Sequence, residues 1–260
     1  MLLLYACFVS LIIFDDVVAY NFPYEGIQLS DSDVANNPDI AFGKLPGGVN
    51  AHCKTFPGDS NWPSVDRWNV LNASLEGALL RVVPPAAACY SGIYEDATKC
   101  ALVRQGSRST NFVKGVFHPV YALINSFRNT GHDYLGRNTR GGALKVYVHR
   151  LKAFEYLPST KIGNYQGKAA RVGAALEQYE LFPHMEENNI TMLAPGSSTV
   201  GAYGGYMQGG GFSYITSKFG LMADQVLALE VVTADGRFVH ADPENNKDLF
   251  WTVRGGGPSE

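Results

Sequence analysis

The first fourteen positions are almost uniformly apolar, then Asp15 and Asp16 interrupt the run and Val17, Val18 and Ala19 close it. A stretch of this length is too short to cross a bilayer as a helix and has the layout of a secretory leader ending at a small residue, so residues 1–19 are expected to be a signal peptide. A buried N-terminal strand or helix is the alternative, because no Lys or Arg precedes the run. Residues 20–50 mix Asp, Asn, Pro and Gly with scattered apolar positions and read as an extended arm. Beyond it Ser64 stands as a cap before Trp68, Leu71, Leu75 and Leu79, whose spacing predicts a short amphipathic helix over residues 65–80.

From residue 143 onward the pattern switches between strand and helix. Residues 144–148 and 170–172 read as strands, and 176–187 as a helix that Pro183 would kink or end early. Residues 226–233 form a β-prone run, Asp235-Gly236 a tight turn, and residues 237–239 the returning strand of a hairpin. The mixture predicts an α+β fold, and no internal repeat is visible.

Two glycine-containing blocks interrupt these elements. The first is Arg128-Asn129-Thr130-Gly131-His132-Asp133; the second runs from Ser197-Ser198-Thr199-Val200-Gly201 through Gly204-Gly205 to Gly209-Gly210-Gly211. Glycine lets the backbone adopt positive φ and brings amide N–H groups close to a charged ligand, so so dense a run suits the lining of a bound nucleotide. Rival readings of the glycines fail on spacing. No complete G-x-G-x-x-G dinucleotide fingerprint is present. Gly163-Asn164-Tyr165-Gln166-Gly167-Lys168-Ala169 is one residue short of a phosphate loop and has Ala where Ser or Thr would hold Mg²⁺, so it reads as a surface turn. The G-x-S-x-G elbow of hydrolases is missing.

Composition narrows the classes further. A 260-residue chain with a formal charge of −3 is long enough for a substantial core and has no broad basic field, so neither a nucleic acid nor a membrane surface is expected as partner. No Cys-x-x-Cys or His-Glu-x-x-His spacing supports a metal site. Loss of Cys7 with the leader would leave Cys53, Cys89 and Cys100, an odd number: one disulfide with one free thiol, or a missing partner. Sequons at Asn72 and Asn189 agree with secretion.

The glycine blocks, together with Cys53-Lys54-Thr55-Phe56-Pro57-Gly58-Asp59 and the ending Asn246-Lys247-Asp248-Leu249-Phe250-Trp251-Thr252-Val253-Arg254-Gly255-Gly256-Gly257, resemble the secreted FAD-linked oxidases of the vanillyl-alcohol-oxidase and berberine-bridge-enzyme type, with fungal members closest in pattern. The resemblance covers most of the chain from Cys53 onward. It implies a PCMH-type FAD-binding domain, with FAD contacts from Asn129, Thr130, Gly131, His132, Asp133, Ser197, Thr199, Val200, Gly201, Gly204, Gly205, Gly209, Gly210 and Gly211. It also implies a covalent bond from His132 to the flavin, which would hold the ring and raise its redox potential. Asp133 then reads as a hydrogen-bond acceptor that orients the loop. Relatives with a second covalent link carry a cysteine where this chain has Ser197-Ser198, so that link cannot form.

Two departures from the family pattern shape the expected layout. Only residues 115–127 separate the cysteine-containing segment from Arg128, where relatives have a fuller strand-helix-strand unit, and the chain stops just after the R-G-G-G block. The expected organisation is a signal peptide over 1–19, an arm and cysteine-containing segment over 20–115, and a partial FAD-binding domain over 116–260, incomplete at the C-terminus and shortened before the histidine loop. No catalytic residue is assigned, because the base and most substrate contacts of the family come from the absent C-terminal part. An intact relative would oxidise a hydroxyl-bearing small molecule, such as a sugar, a phenolic or a secondary metabolite, with O₂ as acceptor. The competing class is a secreted glycoprotein that keeps the glycine loops without holding flavin, and a visible absorption band separates the two.

Overall fold

The computed structural model describes residues 30–35, 41–42, 58–60, 62–79, 83–108, 126–139 and 144–256. The expected leader, the Cys53-to-Pro57 part of the cysteine block and the segment before Ser126 that is expected to be shortened lie outside the described residues. Within the expected arm, Asp31–Val34 forms one helical turn, α1, with the Ser30 amide donating to the Asp33 carboxylate at 2.7 Å.

Helix α2, Val65–Ser74, begins where the sequence places it, with the Ser64 hydroxyl accepting from the Arg67 amide at 3.4 Å. It ends earlier than the apolar spacing predicts. Glu76 and Gly77 take left-handed φ values of 52° and 81°, the Gly77 amide donates to Asn72 O at 2.8 Å, and Asn72 Oδ1 captures the Leu79 amide at 2.9 Å. The apolar period therefore runs past the point at which the backbone turns away. Helix α3, Ala97–Gly106, was not legible as such; Asp96 caps it by accepting from the Lys99 amide at 2.9 Å. It carries Cys100 into a disulfide with Cys89, which fixes the pairing that the cysteine count left open.

Strand β1, Ser126–Arg128, pairs in parallel with β2, Lys145–Tyr147, and the chain leaves β1 directly into the histidine loop. Next comes an antiparallel hairpin of β3, Phe154–Ile162, and β4, Tyr165–Val172. The expected strand at 170–172 is only the end of β4, and β3 is not predicted by the sequence pattern; of the surface turn expected over residues 163–169 only Gly163-Asn164 turns, as the two-residue connection with Gly163 at φ 53°, while residues 165–169 belong to β4. Helix α4, Gln178–Glu187, continues past Pro183 and does not end there. Proline removes one intrahelical hydrogen bond, while the fully buried Leu181 and the His184 ring, stacked 4.3 Å from Phe154, hold the helix on the β3–β4 hairpin.

After the glycine loop come a short helix α5, Thr216–Phe219, strands β5, Leu229–Val232, and β6, Phe238–Ala241, and helix α6, Lys247–Val253. β5 and β6 pair antiparallel as expected, although β5 is shorter than the apolar run and β6 starts one residue later and runs two residues further than the sequence pattern. Their connection closes with the Thr233 amide donating to Arg237 O at 2.8 Å and Gly236 at φ 91°, the geometry of a three-residue hairpin loop. An ion pair from Arg171 to Glu230 ties β4 to β5. The core lies between α4, the glycine loop and the turn before β5: Leu176, Leu181, Leu193, Ala194, Ala202, Met207, Met222 and Ala223 are all buried there. Both sides of the second glycine block are thereby anchored in one apolar cluster.

Candidate cofactor site

The two glycine-containing blocks, far apart in sequence, meet in the structure. His132 Nε2 lies 2.9 Å from Thr199 Oγ1, an exposed contact across 67 positions. Beneath it the Asn129 amide nitrogen donates to Ala174 O at 2.7 Å. A Cβ on Gly201 would stand 2.6 Å from Asn129 Nδ2 and 3.3 Å from the Thr130 methyl, and one on Gly204 would stand 2.8 Å from both Ala174 O and Asn129 Nδ2. At these two positions the missing side chain makes room for the other loop.

The segment between β4 and α4 carries both loops. Gln178 N donates to Val200 O at 3.2 Å, Tyr179 N to Ser198 O at 3.2 Å, and Ala202 N to Leu176 O at 2.8 Å, so residues 198–202 are laddered along residues 176–179. Ser197 is exposed and accepts the Val200 amide at 3.2 Å, closing a turn next to Thr199. Gly205 is exposed, with open space where a Cβ would be. Gly209 is exposed as well. Gly210 and Gly211 lie elsewhere: at φ 103° and 68° they are buried and accept the amides of Ala223 and Met222 at 2.9 and 2.8 Å, so they dock the block on the core.

Asp133 holds the first loop in shape. Its carboxylate accepts the Arg137 amide at 2.6 Å and the Arg137 guanidinium at 2.8 Å, and these bonds keep it below the ordinary carboxylate range. Arg128, buried at the end of β1, lies under the loop, its Nη2 3.0 Å from where a Gly131 Cβ would be. Burial lowers the Arg128 pKa, and burial followed by the Arg128 charge lowers that of Lys145. Lys145 is itself buried, and in the parallel ribbon it shares a face with Arg128.

These residues fit a dinucleotide on three counts. The amides of Thr130, Gly131 and His132 donate to no acceptor among the described residues, and Gly131 at φ 92° takes the left-handed conformation that anion-binding loops use. Arg128 is buried beneath that loop and Lys145 is buried on the same face of the ribbon, and their charge favours a pyrophosphate. Asn129 Oδ1 is buried with no hydrogen-bond partner among the described residues, an acceptor that a ligand donor would satisfy. His132, Thr199 and Gly205 sit on the accessible side of the joined loops.

Sequence reasoning missed the group that fixes this arrangement. Lys152, Glu177 and Glu180 cluster at the start of α4, and Gly173 passes so close to Leu151 that a Cβ would lie 2.3 Å from the Leu151 carbonyl oxygen. The Glu177-x-x-Glu180 spacing was the available signal, since a Glu three residues into a helix can reach back to the cap amide, as Glu180 does to Glu177 N at 2.8 Å.

Comparison with known proteins agrees with the geometry. Residues 125–242 match the sequence family described as FAD binding domain. An FAD-linked oxidoreductase of Gibberella zeae is 33% identical over 253 residues, covering 80% of this chain and 45% of that protein. A VAO-type flavoprotein oxidase of Thermothelomyces thermophilus is 32% identical over 256 residues, covering 79% of this chain and 44% of the relative. Two crystal structures of VAO-type flavoproteins from Myceliophthora thermophila superpose with TM-scores of 0.72 and 0.71, at 32% and 26% identity, each over 79% of this chain. The chain spans a little under half the length of the curated relatives it matches. Residues 125–242 are thus an FAD-binding domain of the kind found in VAO-type flavoproteins, in a chain related to the fungal FAD-linked oxidoreductases.

Proposed function

We propose that this chain is the flavin-holding part of a secreted, glycosylated FAD-dependent oxidoreductase acting on a hydroxyl-bearing small molecule, a sugar, a phenolic or a secondary metabolite, with O₂ as electron acceptor. The observation that carries the reading is the meeting of the two loops, with His132 set against Thr199 at 2.9 Å on the accessible side and, beside it, loop amides that have no acceptor among the described residues. Hydride acceptance from the substrate carbon and electron transfer to O₂ would be the chemistry supplied by bound FAD. The chain's own part is binding and orientation. The amides of Thr130, Gly131 and His132 receive the pyrophosphate, Arg128 beneath them supplies positive charge, and His132 is the point of covalent attachment.

Purification after expression with FAD tests this. The protein is expected to be yellow, to keep its flavin through acid precipitation, and to release it when His132→Ala is made. Flavin still covalently held by the His132→Ala protein would place the attachment elsewhere, and a colourless chain after refolding with excess FAD would overturn the flavin reading. Secretion and glycosylation are tested by N-terminal sequencing and glycosidase treatment of exported material: a product beginning at Met1 removes that part of the proposal.

A further inference from the structure

The segment that joins the two loops is itself gripped by a side chain from neither. Asn129 binds the carbonyl of Ala174, and residues 198–202 are laddered on residues 176–179. Lys152, in the link between β2 and β3, donates to Ala175 O at 2.7 Å and to Glu180 Oε2 at 2.6 Å, and its ammonium lies 3.7 Å from Glu177 Oε1. The Glu177 side chain is only 1% exposed and has His149 Nε2 at 3.7 Å as a second neighbour. Glu180 also accepts the Glu177 amide, which forms the first corner of α4. Burial works to raise the Glu180 pKa, but the bonds from Lys152 and from that amide outweigh it and leave the carboxyl below its ordinary value.

One ammonium thus contacts a backbone carbonyl and two carboxylates within the few residues that support both loops. Glu177 is buried and Glu180 half-buried, so removal of the ammonium they share leaves their mutual repulsion less compensated and would shift the turn that carries them. Any shift there is transmitted by hydrogen bonds to Asn129 on one side and to residues 198–202 on the other. Both ends of the His132–Thr199 contact would move relative to each other.

We propose that Lys152 is a positioning residue for the cofactor site, its charge setting the 174–180 turn and through it the approach of His132 to Thr199. The consequence for flavin rests on the function proposed above; the consequence for the two loops does not. The test compares wild type, Lys152→Met, which keeps the aliphatic stem, and Lys152→Arg, which keeps the charge. In the flavin-free chain, the NMR cross-peak between the His132 ring and the Thr199 methyl is expected to fall at least twofold in Lys152→Met and to return in Lys152→Arg. With FAD as probe, the dissociation constant is expected to rise about tenfold in Lys152→Met and to recover with Arg, in samples whose circular dichroism matches wild type. Should Lys152→Met fail to fold, Glu180→Gln removes one charge from the cluster and is expected to weaken the same cross-peak. A cross-peak of wild-type intensity in folded Lys152→Met, or in Glu180→Gln, overturns the proposal. A wild-type chain that binds no FAD overturns the flavin reading alone, and the cross-peak still decides the role of Lys152.

Discussion

His132 Nε2 and Thr199 Oγ1 lie 2.9 Å apart although 67 positions separate them in the chain. The contact is exposed and orients the His132 ring, but it does not set where either loop lies. His132 is set by the Asp133–Arg137 bonds on its C-terminal side and Thr199 by the ladder from residues 198–202 to the start of α4. The pair reports whether the two loops are in register.

Thr199→Val keeps the shape of the side chain and removes the hydroxyl. An exposed hydrogen bond contributes about 1 kcal/mol or less to stability, so urea unfolding is expected to change by no more than that. The fraction of flavin retained through acid precipitation is expected to drop, because the His132 ring loses the group that orients it. Retention equal to wild type would show that the ring needs no such partner.

Gly204→Ala and Gly205→Ala are expected to behave oppositely. At Gly204 a Cβ meets Ala174 O and Asn129 Nδ2 at 2.8 Å, whereas at Gly205 nothing lies within 4 Å. Overpacking of that kind costs roughly 1–3 kcal/mol, and an open surface position about 0.5 kcal/mol or less. Equal unfolding midpoints for the two variants would contradict the loop contact.

The Cys89–Cys100 bridge closes a loop with a sequence separation of 11, and loop-closure entropy assigns such a link roughly 3 kcal/mol. Replacing both cysteines by alanine is expected to lower unfolding stability by an amount of that order. Thiol titration of the denatured, unreduced protein should find neither Cys89 nor Cys100 reactive, and labelling at either would break the assigned pairing.

Asp242 gives a pH prediction. Burial opposes its charge, yet donors from Asn245, Glu244 and His240 outweigh burial and bring its pKa from 3.8 to about 2. A depressed carboxyl stabilises the fold fully above its unfolded value and loses that contribution as pH falls through the folded one. Roughly 2 kcal/mol should therefore disappear between about pH 4 and pH 2. Denaturant unfolding at pH 5 and near pH 2 is expected to show a smaller acid loss in Asp242→Asn than in wild type. An identical loss in both proteins would mean that the carboxylate carries no such linkage.

Much of this fold was legible because the signals are local. Ser64 caps the helix that follows it, Gly163-Asn164 and Gly236 turn hairpins, and the paired runs around Asp235 face each other as β5 and β6. Caps, positive φ and apolar periods act between residues a few positions apart, so they are written in the order of the chain. The expected end of α2 and an early end of α4 at Pro183 differ from the structure for the complementary reason. Asn72 reaches forward to Leu79 beyond the helix, and contacts with Phe154 and the core hold α4 through its proline.

The sequence by itself determined the two glycine blocks, the histidine between Gly131 and Asp133, and the family pattern by which they are read as a candidate nucleotide site. Only the tertiary structure decided that Gly201 and Gly204 are thin for the sake of Asn129, that Gly210 and Gly211 serve the core, that Cys100 pairs with Cys89, and that Lys152 grips the turn beneath both loops. The bonds from Lys152 to Glu180, Asn129 to Ala174 and His132 to Thr199 span 28, 45 and 67 positions. Contacts at such separations exist because burying the Leu176–Leu181–Met207–Met222 cluster brings distant backbone together, and no local preference of the residues involved specifies which partner each will meet.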